Sequence, residues 1–382
     1  MTPESEKIAR HLGYLRQDPD NINLLLDVVK LQLAEGQQPE AETLLDEGLA
    51  RWPAHAALMY ERALLALSQN DEATAKVLFQ NLLETGQATP ALRYNLAYAH
   101  YASSEFQQCL DQLLQLPENE RGDIPYAACL QILALHQLGE LAQARSYAEL
   151  RLATAPDNAE VAGLLALVCL DDNDLEGARH WSELSLASQP EQVYAQVVQG
   201  TLEIPENPAA ASARFEQLLG NRPRDGRAWS GLAIASFSLR DMTKAAAAFE
   251  QAVMFMPGHI GTWHAYGWLH LIEGRLSEAE NCFQQALDLD RNFGESYGGM
   301  AVVATMQGRT ADAEALLKRA YRLAPEGLSA QFIALLQAKS SGNQHEVEQV
   351  VQRAFATLNA SNPEQIQQIV RNALLSNGSY KH

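Results

Sequence analysis

Apolar and polar positions along this chain form pairs of amphipathic helical patterns, which residues 261–289 show most clearly. In the first half of this stretch Trp263, Tyr266 and His270 recur at spacings of three and four, so they share one face of a helix. A short polar break follows, and Phe283 lies on the apolar face of a second helical pattern. The two halves predict a helical hairpin that needs neighbouring hairpins to bury its apolar face.

The small residue on the second helix of this hairpin recurs along almost the whole chain. Successive positions are 34 residues apart, with one spacing of 35 and one of 33. The positions are Ala41, Ala75, Cys109, Ala144, Ala178, Ala211, Ala245, Ala279, Ala313 and Val347. In several repeats a proline such as Pro257 follows twelve residues later, where it ends one helix and suits the start of the next. The period predicts ten helical hairpins.

These residues resemble the tetratricopeptide repeat (TPR) family, a 34-residue helix–turn–helix. The family pattern of Trp, Leu, Gly, Tyr, Ala, Phe, Ala and Pro is matched by Trp229, Leu232, Ala233, Ser236, Ala245, Phe249, Ala252 and Pro257. The resemblance covers residues 22–359 and implies an all-α fold, a right-handed α-solenoid (superhelix) of TPR hairpins with terminal capping helices.

The ends and two of the repeats depart from this pattern. Residues 1–21 are predicted to form an N-terminal capping helix before the array at 22–359, and residues 360–382 a C-terminal capping helix and a disordered tail. The third repeat has a long connection at 117–125, and the turn of the sixth, at 204–208, contains two prolines. We expect flex points at both places.

Composition and charge exclude several classes of partner. The chain has 28 basic and 47 acidic residues, a net charge of −19, and no long basic cluster, so nucleic acid and anionic membranes are poor partners. No segment is apolar enough to span a membrane, and no secretory signal opens the chain, so we expect no membrane insertion and a cytoplasmic location. The four cysteines are far apart and predict reduced thiols.

Candidate chemistry is sparse. His264 and His270 are six residues apart and point to different faces of one predicted helix, so they do not form a zinc pair. The residues from Asp288 resemble the start of a calcium loop, but Phe293 occupies the position that requires glycine. No HExxH, phosphate-binding loop or nucleophile elbow is present. The sequence therefore predicts no enzyme, no metal site and no cofactor.

A binding surface is the stronger hypothesis. In the TPR family the first helices of successive repeats line the concave face, where ligands lie. The resemblance implies the partner-binding positions Tyr60, Tyr94, Tyr98, Tyr101, His136, Ser230, Phe237, His264, Trp268 and Phe332. Aromatic side chains on such a face give large contact area at low entropic cost.

The three tyrosines from Tyr94 to Tyr101 share one helical face, and two roles are open to them. Burial statistics slightly favour packing between helices. The repeat register favours the concave face instead, because Leu96 and Ala97 already occupy packing positions. The register likewise leaves His264 and Trp268 for a ligand. The Lys/Asn/Arg set with which some TPR domains hold a terminal carboxylate is not apparent.

The chain is therefore predicted to be a protein–protein interaction module that binds a peptide or helix of a partner in an acidic, aromatic-lined concave groove. The partner should carry apolar or aromatic anchors and basic residues. The composition resembles that of bacterial proteins, and bacterial TPR proteins of this kind often resemble chaperones or assembly factors for secretion, envelope or surface systems. Two alternatives are a structural scaffold that self-associates as a homo-oligomer and a subunit that recruits substrate to a separate enzyme.

Overall fold

A computed structural model describes residues 3–117, 121, 124 and 126–324 of the 382-residue chain. Within these residues it contains nineteen α-helices and no strand. The first eleven helices are α1 (Pro3–Gln17), α2 (Ile22–Ala34), α3 (Gln38–Arg51), α4 (Ala56–Ser68), α5 (Glu72–Glu84), α6 (Pro90–Ala102), α7 (Phe106–Leu114), α8 (Ala127–Gln137), α9 (Leu141–Thr154), α10 (Ala159–Asp171) and α11 (Leu175–Ser188). The other eight are α12 (Val193–Glu203), α13 (Pro208–Asn221), α14 (Gly226–Ser238), α15 (Met242–Phe255), α16 (Ile260–Ile272), α17 (Leu276–Leu289), α18 (Gly294–Met306) and α19 (Thr310–Leu323).

The helices form two compact units, Met1–Pro190 and Glu191–His382. The described part of unit 1 holds the single helix α1 and five hairpins, and the described part of unit 2 holds four hairpins. We call the first helix of each hairpin the A helix and the second the B helix. The predicted tenth hairpin at Val347 and the predicted C-terminal cap at 360–382 lie outside the described residues.

The small residue of each B helix is what allows the two helices of a hairpin to approach closely. The nine repeat positions from Ala41 to Ala313 are all buried, and all but Ala313 have no exposed surface. A larger side chain at these positions would separate the helices. The all-α hairpin fold and the register predicted from the 34-residue period are therefore confirmed for nine hairpins.

One residue in nearly every hairpin turn adopts a left-handed backbone conformation. These residues follow the same period and are Gly36, Asn70, Ser104, Gly139, Asn173, Arg240, Gly274 and Gly308. The next amide closes the A helix, as when Asp71 N–H donates to the Ala66 carbonyl at 2.9 Å. The sixth hairpin has no such residue. There Asn207 N–H donates to the Glu203 carbonyl at 2.8 Å, and Pro208 begins the B helix.

Two phenylalanines of unit 2 fill the space that glycines leave on the A helices. A β-carbon at Gly231 would lie 2.2 Å from Phe215 Cζ, and one at Gly200 would lie 2.7 Å from the same atom. Phe283 sits in the same way between Gly299 and Gly267, at 2.6 and 2.7 Å from its Cε1. Both rings are completely buried. At Gly267 the two helices of this hairpin therefore approach too closely for a larger side chain.

Ion pairs connect B helices to the turn of the next hairpin at one repeated position. Lys76 Nζ lies 2.7 Å from Glu105 Oε1, and Arg145 Nη2 lies 2.7 Å from Asp174 Oδ2. In unit 2 the charges are exchanged, because the carboxylate of Glu280 is on the B helix and Arg309 Nη2 approaches it at 2.7 Å. Each pair joins residues 29 positions apart.

The third hairpin is the irregular one in unit 1. Its B helix, α7, has nine residues, whereas the other four B helices of this unit have 13 or 14. The next described helix begins at Ala127, after the long connection expected at 117–125. Tyr126 stands directly before α8 with φ +64°. Its carbonyl accepts a hydrogen bond from Leu130 N–H at 2.9 Å, which makes it the N-cap of α8.

Candidate partner-binding face

The A helices of unit 1 present the tyrosines on which the predicted binding surface depends. Tyr60 of α4 is half-buried, and its ring packs edge-on against Phe79 with 6.0 Å between centroids. Its hydroxyl accepts a hydrogen bond from Asn95 Nδ2 at 2.9 Å. Tyr60 therefore connects α4 to α6, and only part of its ring faces solvent.

The three tyrosines of α6 differ in their exposure. Tyr94 and Tyr101 are half-buried and pack against the cluster that contains Cys109 and Leu130. Tyr101 also lies 5.4 Å from the Phe106 ring. Tyr98 alone is open to solvent, with 45 % of its surface exposed. Two of the three rings therefore pack between helices, and the ring of Tyr98 is exposed on the same helix.

Tyr126 adds a second exposed ring next to α6. It is 65 % exposed, and its helix α8 contacts α6. Burial raises the pKa of the Tyr94 phenol, and the nearby Tyr98, Cys129, Cys109 and Tyr126 raise it further. Tyr94 and Tyr98 lie one turn apart on α6, and Tyr126 stands at the start of α8, which contacts α6. We call Tyr94, Tyr98 and Tyr126 together the tyrosine face.

His136, another predicted binding residue, makes a contact between repeats. Its Nε2 lies 2.7 Å from Asp171 Oδ2, at the end of α10. Its side chain is only 8 % exposed, whereas that of Asp171 is 26 % exposed. A ligand on this face would meet the carboxylate of Asp171 more readily than the imidazole.

The predicted residues on α14 of unit 2 are packed into the repeat. Ser230 is buried, and its hydroxyl lies 3.1 Å from Thr262 Oγ1, which in turn lies 2.8 Å from His259 Nδ1. Ser230 thus holds α14 against α16 and is not accessible to a ligand. Phe237 is half-buried against the core of this unit.

His264 and Trp268 form part of an aromatic cluster. The Trp268 indole N–H donates to His264 Nε2 at 3.0 Å, and the imidazole lies 5.3 Å from the Phe283 ring and 5.7 Å from the Phe293 ring. Burial lowers the pKa of His264 to about 4, although Glu295 Oε2 is 3.9 Å away. His264 is therefore neutral at pH 7 and packs the repeat, while Trp268 is half-buried.

The A helices of unit 2 also carry exposed aliphatic residues. Ile234, Ile272 and Met306 lie on three successive A helices and are 37, 44 and 48 % exposed. Ile272 and Met306 are not among the positions predicted from the sequence. They are one repeat period apart, so a comparison of equivalent positions along the array would have found them.

The described residues show no other chemical site. Among them, no three His, Cys, Asp or Glu residues are grouped as metal ligands, and no helix is both long and apolar enough to cross a membrane. Burial raises the thiol pKa to about 12 in Cys109 and Cys282 and to about 11 in Cys129 and Cys169. These thiols are poor nucleophiles at neutral pH.

Phe332 lies outside the described residues, and ligand contact at the predicted positions stays a prediction.

Two family models match separate parts of the chain. Residues 27–77 match the tetratricopeptide repeat, and residues 230–359 match the middle TPR-like domain of cilia- and flagella-associated protein 70. Cellulose synthase operon protein C of Komagataeibacter sucrofermentans is 34 % identical over 95 residues, and that of Komagataeibacter xylinus is 33 % identical over 95 residues. Both alignments cover 25 % of this chain and 7 % of the relative, so the chain spans a small part of the length of these relatives.

One solved structure shares the arrangement of helices. The match to the structure of a human IFIT1 dimer with PPP-AAAA covers 99 % of this chain and 96 % of the IFIT1 chain, at 13 % identity and a TM-score of 0.56. The match to a tetratricopeptide repeat protein from Parabacteroides merdae covers 65 % of this chain and 98 % of that protein's chain, at 16 % identity and a TM-score of 0.47. The repeat period, the buried small residues and the two family models together identify this chain as a tetratricopeptide repeat α-solenoid protein, a class that generally mediates protein–protein interactions.

Proposed function

We propose that this chain is a non-enzymatic interaction protein that binds a partner polypeptide along the A-helix face of its repeats. The observation that carries this proposal is the exposure of Tyr98 and Tyr126 beside the packed ring of Tyr94. Exposed aromatic rings next to rings already fixed by packing lose little conformational freedom when they bind. The TPR fold is typically a non-catalytic interaction scaffold, which supports the same reading.

The partner is expected to be basic. The chain carries a net charge of −19, and Glu160 and Asp171 both lie on α10, the A helix that follows α8 in unit 1. Such a potential speeds the encounter with a basic partner and repels a second acidic protein. Apolar and aromatic contacts then supply most of the binding affinity, and the opposite charges of the two proteins increase the association rate.

The biological role we propose is that of an assembly factor or chaperone for an envelope or surface system. The similarity of a 95-residue stretch to cellulose synthase operon protein C supports this role, because the name of that relative places it with a cellulose synthase. The alternative of a subunit that recruits substrate to a separate enzyme draws on the same similarity. In both cases the chain itself contributes binding and no catalytic step.

Selection from a random peptide library on the full chain tests the proposal. We expect enriched peptides that bind in fluorescence anisotropy and lose about tenfold in affinity with Tyr98→Ala, since exposed aromatic anchors contribute a large share of binding energy. Tyr321→Ala is the matched control, because Tyr321 is 40 % exposed but belongs to the B helix α19. If the library yields no binder, or if both variants bind equally well, the A-helix face is not the binding surface.

A second function is favoured by one observation on two B helices of unit 1. An apolar groove between α7 and α9 is lined by Leu110, Leu114, Leu135, Tyr147 and Leu150, and two of these leucines are more than half exposed. A scaffold that self-associates through B helices would use such a groove. Light scattering of the isolated chain tests this function, and a monomeric mass at high concentration would exclude it.

A further inference from the structure

We infer that Ser296 positions the indole of Trp268 on the A-helix face through the imidazole of His264. The Ser296 hydroxyl accepts the proton of His264 Nδ1, and this leaves His264 Nε2 as the acceptor for the indole N–H. The inference rests on the proposed function, because Trp268 is one of the residues predicted to contact the partner. It adds a residue of the next hairpin that holds this ring in place.

The hydrogen bond between Trp268 and His264 fixes where the imidazole carries its proton. The indole nitrogen can only donate, so His264 Nε2, which lies 3.0 Å away, accepts with its lone pair. A neutral imidazole has a single ring proton, which therefore lies on Nδ1. His264 Nδ1 is thus a hydrogen-bond donor.

This donor is enclosed in unit 2 together with an unused acceptor. His264 Nδ1 and Ser296 Oγ are both buried, and neither atom has a hydrogen-bond partner among the residues that the structure describes. Ser296 has no exposed surface at all. A buried polar atom without a partner costs free energy, so native chains normally pair such atoms.

The equivalent pair of residues one repeat earlier is hydrogen-bonded. Ser230 and Thr262 precede His264 and Ser296 by 34 residues each, and their hydroxyl oxygens are 3.1 Å apart. The A helices that carry the two pairs contact each other in both cases, α14 with α16 and α16 with α18. The imidazole Nδ1 is one bond farther from the backbone than the hydroxyl of Ser230. His264 therefore reaches Ser296 once the serine side chain turns to the matching rotamer.

Glu295 offers the imidazole a competing arrangement. Its Oε2 lies 3.9 Å from His264 Nε2, and a carboxylate accepts a proton donor at that nitrogen. With the proton on Nε2, two donors would face each other, and the bond to the indole of Trp268 would be lost. An acceptor at Nδ1 keeps the proton there, so Ser296 selects the tautomer that holds the indole.

The orientation of this indole affects the binding face of unit 2. Trp268 occupies the same repeat position as Ile234 of α14 and lies one turn before Ile272 on α16. Both isoleucines are more than a third exposed, so the half-buried indole lies on the same face as exposed aliphatic side chains. A ring that is already held in place loses less conformational freedom on binding than a ring that turns freely.

Nitrogen NMR of the full chain, labelled with ¹⁵N in its histidine and tryptophan side chains, tests these hydrogen bonds. The signals of His264 and Trp268 are assigned by their loss in His264→Gln and Trp268→Phe. We expect the wild type to carry the His264 proton on Nδ1. Ser296→Ala should move this proton to Nε2 and shift the indole N–H signal of Trp268 upfield. Ser296→Thr keeps a hydroxyl, as Thr262 does at the equivalent position, and should retain the wild-type tautomer.

Ser236→Ala is the matched control for the loss of a buried hydroxyl. Ser236 is also completely buried without a partner for its hydroxyl, but it lies on α14. This variant should change neither the His264 tautomer nor the indole signal. If the proton stays on Nδ1 in Ser296→Ala, another group accepts it and the inference is wrong.

Peptide binding tests the positioning role separately. Library peptides that lose affinity with Trp268→Ala should lose about fivefold with Ser296→Ala and nothing with Ser236→Ala. If no selected peptide needs Trp268, or if those that need it bind Ser296→Ala as well as the wild type, Ser296 does not position a binding residue. Peptides that depend on Tyr98 would then still support the proposed function. A library without any binder would refute the proposed function, and the NMR signals alone would then decide the hydrogen bonds.

Discussion

Replacing Gly231 with alanine is expected to destabilise unit 2 by about 1 to 3 kcal/mol, because the new methyl group has no space. It would lie 2.2 Å from Phe215 Cζ and 2.5 Å from Phe215 Cε1. The ring cannot move away, since it is completely buried and Gly200 on its other side leaves only enough space for a hydrogen atom. A lower midpoint in thermal and urea unfolding, followed by circular dichroism, would show this loss.

Two companion variants make the result specific. Gly220→Ala is the matched control, because Gly220 lies in α13 and a β-carbon there meets nothing within 4 Å. That change should raise the melting temperature, since alanine favours a helix by about 1 kcal/mol over glycine. The double variant Gly231→Ala with Phe215→Leu should recover part of the loss, because leucine is shorter than the ring. A melting temperature of Gly231→Ala equal to that of the wild type would contradict the packing described for this phenylalanine.

Acidification is expected to destabilise unit 2 through His264. The pKa of this imidazole is about 4 in the folded chain and near its ordinary value of 6.5 in the unfolded chain. The unfolded state therefore binds the proton first as the pH falls, so stability is full above pH 6.5 and decreases between pH 6.5 and 4. The difference corresponds to roughly 3 kcal/mol when the histidine is fully protonated.

The variant His264→Gln isolates this contribution. Glutamine stays neutral at every pH, and its side-chain oxygen can accept the indole N–H of Trp268 in place of the imidazole nitrogen. His270, whose pKa burial also lowers, is present in both proteins and cancels in the comparison. The free energy of unfolding from urea curves should fall more steeply for the wild type than for the variant between pH 6.5 and 4. Parallel curves would show that His264 titrates normally.

The repeat architecture could be predicted from the sequence because one structural requirement recurs at a fixed spacing. Where the two helices of a hairpin meet, the B helix requires a small residue. Small buried residues therefore recur about every 34 positions from Ala41 to Ala313. The unusual turn of the sixth hairpin could also be predicted from the sequence. Pro208 has no backbone N–H to donate, so it suits the first turn of the B helix that it begins.

The candidate site was less predictable. The repeat register gives the direction in which a side chain points, but it does not tell whether residues of a neighbouring hairpin cover that side chain. Tyr94 and Tyr98 are one helical turn apart and share a face, yet only Tyr98 is exposed. Ser230 points to the same face by register, but Thr262 of the next hairpin covers it. His264 is enclosed by Phe293, which also belongs to the next hairpin. Such contacts depend on how closely successive hairpins stack, and the spacing of residues within one repeat does not contain that information.

The exchanged ion pairs between successive hairpins have a consequence for the order of the repeats. In unit 1 the B helix supplies the cation, as Lys76 does for Glu105, whereas in unit 2 Glu280 supplies the anion for Arg309. A hairpin carrying Lys76 placed before the hairpin of Arg309 would bring two cations together. The hairpins that carry these pairs are therefore not interchangeable, because an array that brings Lys76 next to Arg309 is disfavoured by like charge.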